Sequence, residues 1–197
     1  ITVNGEMRKQ FRNLDDPFSY RYIEDHSISC GFLKEHSHLN AKKINEVVWD
    51  YLNTYYNRTT IIDYFTKLGY PEIKDNLYMM DWYPHNYGNK YVIFSGDRPN
   101  YYLSESDSFL YYDKPSCLIF DLSTGEEIHF SQMLQGDWLA NSKMVTSYPE
   151  TEVTPFYEGL DLYWLYFTDE GNLWLVLDSA DGATYYLTVP QEYIIFE

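Results

Sequence analysis

NAKKINEVVWDYLNTYYN, residues 40–57, contains the strongest helix signal in the sequence. Its apolar side chains recur every three or four residues, the spacing that places them on one face of an α-helix. The members of this stripe are Ile44, Val47, Val48, Tyr51, Leu52 and Tyr55. Asn40 is a residue type that caps helix starts, and Asn57 is one that ends helices. The segment is therefore predicted to be a helix with one buried face.

A shorter helix is predicted directly afterwards in TTIIDYFTKLGYP, residues 59–71. Thr60 and Asp63 have the spacing of a capping box, although Glu or Gln is the usual residue at the second position. Gly69 suits the residue after a helix end, and Pro71 prevents the helix from continuing. The pattern predicts a helix–loop–helix unit, so that residues 39–70 form the helix-rich part of the chain.

Short strands are predicted on both sides of these helices. In residues 18–32, partial alternation gives the candidate inward positions Tyr20, Tyr22, Ile28, Cys30 and Phe32. Residues 77–197 are rich in β-branched and aromatic runs that alternate with turn formers. A hairpin is predicted in residues 116–130, with Gly125 at a turn position that favours positive φ, and Ser131 is predicted to cap a short helical turn. The runs LDLYWLYFT, LWLVLD and ATYYLTV predict a C-terminal meander.

Together these patterns predict an α+β fold. An N-terminal helix pair packs on a mostly antiparallel β-sheet that ends in the C-terminal meander. The helices are expected to cover one face of the sheet and aromatic side chains the other. The length of 197 residues fits one domain, residues 1–197, that is helix-rich at 39–70 and strand-rich at 77–197.

The charge of the chain limits its partners. It has 30 acidic and 14 basic residues, a formal net charge of −16. Nucleic acid and anionic membrane surfaces are disfavoured, because both require a basic face. The apolar runs are too short to span a membrane. A cationic partner is favoured by electrostatic steering, although solubility alone also explains such a charge.

Cys30 and Cys117 are the only cysteines in the sequence, and their spacing matches no metal or redox motif. In an oxidising compartment they could form a disulfide that closes a long loop. The alternative is a pair of buried, apolar thiols.

Catalytic motifs are not evident in the sequence. His36 and His38 lie two residues apart, without the four-residue spacing of a zinc site or a clear third ligand. There is no Gly-x-Ser-x-Gly elbow and no Gly-rich phosphate loop. Carboxylates such as Asp121, Glu126 and Glu127 are typical of turns and surfaces, although a glycosidase pair among 30 acids stays an alternative. No catalytic residue, metal or cofactor is predicted.

Aromatic residues give the strongest binding signal. The chain has 22 Tyr, 11 Phe and 5 Trp, and exposed rings of this kind form protein interfaces and sugar-stacking platforms alike. The segment DWYPHNYGN, residues 81–89, is predicted to be an exposed aromatic loop, because it combines rings with turn formers. The predicted binding residues are Trp82, Tyr83, His85, Tyr87, Tyr101 and Tyr102.

Three motifs give the chain a family resemblance. The first is NAKKIN, residues 40–45; the second is Phe120, Asp121, Leu122, Thr124, Gly125 and Glu126, followed by Phe130, Ser131 and Leu134; the third is FTDEG, residues 167–171, with a closing Val189–Pro190 step. In this order they resemble the extracytoplasmic domain family of lysozyme-sensing anti-sigma factors and of the accessory domains of peptidoglycan deacetylases. The segment between hairpin and last strands is shorter here, and the family's Asn-Pro-Tyr and Pro-Tyr-Ala stretches are missing.

The resemblance implies a non-enzymatic binding domain of a bacterial cell-envelope protein. Its expected place is extracytoplasmic, either secreted or anchored through a segment outside this chain. A cationic protein such as lysozyme is the implied partner, and a cell-wall glycan is the second. The alternative functions are a carbohydrate-binding module and an accessory domain of a cell-wall hydrolase.

Overall fold

A computed structural model of the chain describes residues 18–23, 28–77, 80–87, 90–106, 108–146, 151–154, 159–168, 171–179 and 183–195. The helices are α1 (Ala41–Tyr51), α2 (Arg58–Lys67) and α3 (Ile73–Asn76); a π-helical segment, Leu52–Tyr56, continues α1, and Phe130–Met133 and Gln191–Tyr193 form short 3₁₀ turns. The strands are β1 (Phe18–Ile23), β2 (Ile28–Leu33), β3 (Met80–Tyr87), β4 (Tyr91–Gly96), β5 (Asn100–Leu103), β6 (Ser108–Tyr111), β7 (Cys117–Asp121), β8 (Glu126–Glu127), β9 (Lys143–Thr146), β10 (Glu152–Val153), β11 (Leu160–Phe167), β12 (Leu173–Ser179) and β13 (Thr184–Val189).

These strands form two large sheets and one small one. The six-stranded sheet has the order β1-β2-β3-β4-β7-β8, and the five-stranded sheet has the order β10-β9-β13-β12-β11. Strands β5 and β6 form a separate hairpin. Every described pairing is antiparallel except that of β2 with β3. The predicted α+β class, the mostly antiparallel pairing and the C-terminal meander β11-β12-β13 are therefore confirmed.

The six-stranded sheet is the middle of three layers. One face packs against the helices, through strand residues such as Val92, Phe94 and Phe120. The opposite face packs against the five-stranded sheet, through residues such as Ile93 and Ile119. The prediction of one sheet with an aromatic outer face was wrong in this respect. A strand that is apolar on both sides needs a cover on each, and a second sheet provides the second cover.

The helix stripe is buried as predicted at Ile44, Val48 and Leu52 and partly buried at Tyr51, but it is exposed at Val47 in α1 and at Tyr55 in the π-helical segment. Ile44, Val48, Leu52 and Tyr56 are fully buried. Val47 and Tyr55, which were predicted to face inward, are each 38% exposed. A π-helix has more residues per turn than an α-helix, so the position that reaches the core after Leu52 is Tyr56 and not Tyr55.

Tyr56 is the centre of a buried aromatic cluster. Its ring lies edge-on at 4.9 Å from the Trp82 ring and 5.5 Å from the Tyr112 ring, measured between centroids. Its hydroxyl donates to the carbonyl oxygens of Lys114 and Pro115, at 3.1 and 3.0 Å. Edge-to-face packing adds to the stability gained by burying the rings, and the bonded hydroxyl avoids a desolvation cost. The cluster thereby fixes the π-helical segment to the chain between β6 and β7.

The start of α1 is held by the β7–β8 turn. The side-chain amide of Asn40 donates to the carbonyl oxygens of Leu122 and Ser123, at 2.8 and 2.9 Å. Lys43 donates to the carbonyl of Thr124, at 3.2 Å, and forms an ion pair with Glu126. These four contacts join two of the three motifs that carry the family resemblance, and we call them the helix–turn clamp.

Helix starts and turns differ in detail from the predictions. Asn57, predicted as a helix end, caps α2: its side chain accepts from the backbone N–H of Thr60 at 2.8 Å, so Thr60 is not the cap. His129, and not Ser131, caps the 3₁₀ turn Phe130–Met133, through its Nδ1 atom. In both cases the observed cap lies two or three residues before the predicted one.

Cys30 and Cys117 do not form a disulfide. Both thiols are free and buried. Cys30 lies on β2 and Cys117 on β7, with β3 and β4 between them, so about three strand spacings or about 14 Å separate them. A disulfide requires Cα atoms within about 7 Å. The two side chains also point into different cores, on opposite sheet faces, so the alternative of buried thiols is correct.

The helix–turn clamp predicts an unusually large effect of Gly125→Ala. Gly125 has φ +68°, and a Cβ there would lie 2.9 Å from the Cβ of Asn40. The left-handed backbone alone costs an alanine about 1–2 kcal/mol. The steric clash is expected to add about 1–3 kcal/mol. Urea denaturation would measure the free energy of unfolding.

The matched control is Gly159→Ala. Gly159 has a similar φ of +76°, but a Cβ there meets nothing within 4 Å. The Gly159→Ala variant should lose only the stability that the left-handed backbone costs an alanine, about 1–2 kcal/mol. Equal losses for the two variants would show that the turn does not pack closely on α1.

The aromatic cluster predicts loss of stability at alkaline pH. Burial is the largest cause that raises the pKa values of Tyr51, Tyr56 and Tyr112, and it also raises those of Cys30 and Cys117. A group with a raised pKa in the folded state stabilises the fold below its unfolded pKa and loses this contribution above it. The free energy of unfolding should therefore fall above about pH 8.5 for the thiols and more steeply above about pH 10 for the tyrosines.

Urea denaturation at increasing pH, followed together with tyrosinate absorbance, would test this. Tyrosine ionisation should accompany unfolding. Complete titration of all tyrosines at about pH 10 in the folded chain would contradict the burial of the cluster.

Candidate functional site

The predicted aromatic loop at residues 81–89 is not a loop. Its described residues belong to β3, which ends at Tyr87. This strand pairs with β4 from Trp82 to Tyr87. Pro84 is tolerated because β2 pairs only with Met80–Trp82, so the missing N–H removes no bond to β2. The turn-forming residue types predict a loop, but the described part of β3 beyond Trp82 pairs with β4 and not with β2, and this accommodates Pro84 within the strand.

Trp82 is a core residue, so its predicted role in binding is wrong. Its side chain is fully buried on the helix-facing side of the sheet. Gly96 lies directly opposite on β4, and a Cβ there would overlap the indole ring. The indole Nε1 has no hydrogen-bond partner among the described residues. A glycine on the neighbouring strand thus makes room for the tryptophan.

The other predicted residues of β3 have different surroundings. Tyr83 points to the opposite sheet face from Trp82, as alternation requires, and is 41% exposed. His85 is partly buried with its ring centroid 5.9 Å from that of Trp164, and burial lowers its pKa. The side chain of Tyr87 lies outside the described residues. The described contacts do not bring Tyr83 and His85 together with Tyr101 and Tyr102 in one surface.

Tyr101 and Tyr102 point to opposite faces of the β5–β6 hairpin. Tyr101 is partly buried: its hydroxyl donates to Oε1 of Glu72 at 2.5 Å, and its ring lies 5.0 Å from that of Tyr70. The hydrogen bond lowers the pKa of Glu72. Tyr102 points outward and is 49% exposed. Of the predicted pair, Tyr101 attaches the hairpin to the protein and Tyr102 faces the solvent.

Tyr102 belongs to a row of three exposed rings, which we call the aromatic ridge: Tyr102, Phe109 and Tyr111. Tyr102 lies directly opposite Phe109 in the hairpin register, with ring centroids 5.3 Å apart. Phe109 is 6.1 Å from Tyr111. Phe109 is 52% exposed and Tyr111 is 40% exposed. Three large rings in contact with each other and with solvent are the clearest exposed apolar feature among the described residues.

Sequence reasoning missed Phe109 and did not select Tyr111 as a site residue. The signal was present in the alternation of SFLY, residues 108–111, where Phe109 and Tyr111 share one face and Leu110 takes the other. In β5 the residues alternate in the same way. Pairing the two runs as a hairpin would have put the three rings on one face.

The base of the aromatic ridge is fixed by Arg98. Its guanidinium lies 5.6 Å from the ring centroid of Tyr111, a cation–π contact. It forms an ion pair with Asp178 of β12 at 2.5 Å, and its Nε donates to the carbonyl of Tyr112 at 2.7 Å. Both charged side chains are largely buried, at 13% and 15% exposure. Through Arg98, these contacts connect the hairpin to the five-stranded sheet.

Within the described ranges, no group of three or more His, Cys, Asp or Glu side chains is placed to hold a metal ion. His38 has a local role instead, because its Nδ1 accepts from the backbone N–H of Asn40 at 3.2 Å. Of the helices in the described ranges, none combines the length and the apolar character that a bilayer crossing requires.

Comparison with models of protein families, with curated proteins and with solved structures found no match to this chain. The function is therefore inferred from the residues and geometry of the chain itself.

The contrast between Trp82 and the aromatic ridge predicts losses of stability of very different size. Trp82→Ala should lower the free energy of unfolding by about 3–5 kcal/mol, because it leaves a large cavity under the helices. Phe109→Ser should lower it by about 1 kcal/mol or less, since an exposed ring loses only its contacts with neighbouring rings. Urea denaturation of both variants measures the difference. A loss above about 3 kcal/mol for Phe109→Ser would mean that the hairpin face is part of a core.

Proposed function

We propose that the chain is a non-enzymatic, extracytoplasmic binding domain of a bacterial cell-envelope protein, and that its aromatic ridge binds a cationic protein such as lysozyme. The aromatic ridge is the observation that carries this proposal. Exposed, contiguous aromatic rings are unusual on a surface that has no partner, and Tyr and Trp are the residue types most enriched at the energetic centres of protein interfaces.

The charge of the chain supports a cationic partner. The net charge is −16; Glu105 is exposed in the β5–β6 turn, and Asp113, two residues after Tyr111, is exposed and forms an ion pair with Lys114 at 3.7 Å. Arg98 is neutralised by Asp178 at the base of the hairpin. An apolar surface on a chain of this net negative charge suits a basic protein partner, and the opposite charges would speed the encounter.

The geometry of the rings favours a protein over a polysaccharide. The planes of Tyr102 and Phe109 are tilted by 53° to each other, and those of Phe109 and Tyr111 by 38°. A sugar chain stacks best on rings that present their flat faces in one direction. Tilted rings form an uneven apolar surface, which side chains of a protein can fill more readily.

The family resemblance supports the cell-envelope role and the choice of lysozyme. Among the motif residues, Asn40, Gly125 and Glu126 take part in the helix–turn clamp. Their role is in holding the fold, so a partner surface would lie on residues outside the motifs, as the aromatic ridge does.

The test is calorimetric titration of the chain with a basic lysozyme at about 0.01 M and about 0.15 M salt. Saturable binding that weakens at the higher salt is expected, because salt screens the attraction between exposed charges. Tyr102→Ser and Phe109→Ser should each weaken binding by roughly five- to thirtyfold, equivalent to about 1–2 kcal/mol.

The matched control is Tyr83→Ser, which removes an aromatic ring of comparable exposure, 41%, from a different part of the surface. It should leave the affinity unchanged. If Tyr83→Ser lost binding while the ridge variants bound normally, the binding site would lie on β3 and not on the aromatic ridge. No heat at either salt would reject lysozyme as the partner, and salt-insensitive binding of peptidoglycan fragments would favour the carbohydrate-binding alternative.

A further inference from the structure

A cleft of about 380 Å³ lies beside β7, β8 and β11, where the edges of the two large sheets meet. The short β8 leaves room for it. β8 pairs only with the last two residues of β7, and the chain then forms the 3₁₀ turn Phe130–Met133 instead of continuing the strand. No described strand therefore pairs with Cys117 on the side of β7 that faces away from β4. Beside the cleft, the Ser116 hydroxyl donates to the carbonyl of Tyr163 on β11 at 3.2 Å, which joins the two sheets.

The side chains that face into the cleft are apolar and come from both sheets. Cys117 and Ile119 lie on the face of β7 that packs against the five-stranded sheet, and both are buried. Phe130 is buried in the same core. Leu160 and Leu162 of β11 are partly buried against that core from the other sheet. The cleft therefore has apolar walls on two sides.

The carboxylates that border the cleft are turned away from its floor. Glu127 pairs with Phe120, whose side chain lies in the helix-facing core, while the next residue, Ile128, is partly buried between the sheets. Burial is the main cause that raises the pKa of Tyr51 on α1, and the charge of Glu127 adds to it, as expected for a carboxylate on the helix side. Asp161 lies between two leucines of β11 that pack on the core, so alternation places its side chain on the opposite face.

His129 is the remaining ionisable residue that borders the cleft, and it carries no positive charge at neutral pH. Its Nδ1 accepts from the backbone N–H of Ser131 at 3.3 Å, as part of the cap of the 3₁₀ turn. Partial burial lowers the pKa of the ring. None of the described residues that line the cleft is Lys or Arg. The described floor therefore offers an ionic ligand no partner of opposite charge.

The volume and the walls limit the ligand that the cleft can hold. An apolar cavity of about 150 Å³ holds a benzene molecule. A cleft of about 380 Å³ has room for a ring with a short side chain. A charged group placed against these walls would lose hydration without gaining an ion pair.

We propose that this cleft binds a small, uncharged, apolar molecule that contains a ring. The ring lies on the floor against Ile119 and Phe130, and Leu162 contacts it from the five-stranded sheet. The gain in free energy comes from removing apolar surface of the ligand and of these side chains from water. The cleft shares no described lining residue with the aromatic ridge, so this site goes beyond the proposed protein-binding function.

Three probes of similar size test the proposal on the unmodified chain: uncharged ethylbenzene, cationic benzylamine and anionic benzoate. Each is titrated at neutral pH and followed by amide NMR shifts. Ethylbenzene should bind saturably and shift the resonances of Ile119, Ile128 and Leu162. Benzylamine and benzoate should each bind at least about fivefold more weakly, because their charges lose hydration against the apolar walls. No saturable shift with ethylbenzene, or equal or tighter binding of either charged probe, would overturn the proposal.

A variant that fills the cleft locates the site. Ile128→Trp places a larger side chain among the lining residues and should weaken ethylbenzene binding by at least about tenfold. The matched control is Ile62→Trp, which enlarges another partly buried isoleucine, on α2 against the helix-facing core, and should leave the affinity unchanged. Unchanged binding in Ile128→Trp, or an equal loss in Ile62→Trp, would place the bound ring outside the cleft. Urea denaturation confirms that each variant is folded.

Discussion

Burial of β4 on both faces is the constraint on which the rest of the structure depends. All six of its residues, Tyr91–Gly96, are buried. Val92 and Phe94 face the helices, while Tyr91 and Ile93 face the five-stranded sheet. A strand of this kind is stable only when two separate layers exclude water from it. The helices and the C-terminal sheet are those layers. Removing either one would expose an apolar face of β4 to water.

Polar contacts decide how these layers are aligned. Asn40 bonds the β7–β8 turn at the start of α1. Asn45 bonds both the N–H and the carbonyl of Leu33, at 2.9 and 2.7 Å, and so connects α1 with the end of β2. Because hydrogen bonds are directional and apolar contacts are not, such contacts select one position of the helix among many with similar burial. Asn40 and Asn45, both in the NAKKIN segment, therefore help to hold α1 in place on the sheet.

The two candidate surfaces use different physical means. The aromatic ridge presents apolar rings outward on a hairpin that Arg98 and Tyr101 attach to the protein. The cleft, of about 380 Å³, has Ile119 and Phe130 on its floor and lies where the edges of the two large sheets meet. A ridge suits the broad surface of a macromolecule, whereas a cleft suits a small ligand that can be surrounded.

The sequence by itself determined the elements, because hydrophobic period and turn chemistry are local properties. It correctly predicted the α+β class, the stripe positions Ile44, Val48 and Leu52, the inward positions Ile28, Cys30 and Phe32, and the meander. The tertiary structure alone decided which aromatic residues are buried. Trp82 is buried because Gly96 lies opposite it, and Phe109 is exposed because the face of its hairpin has no covering layer among the described residues. Both depend on pairings between distant segments, which a local pattern does not contain.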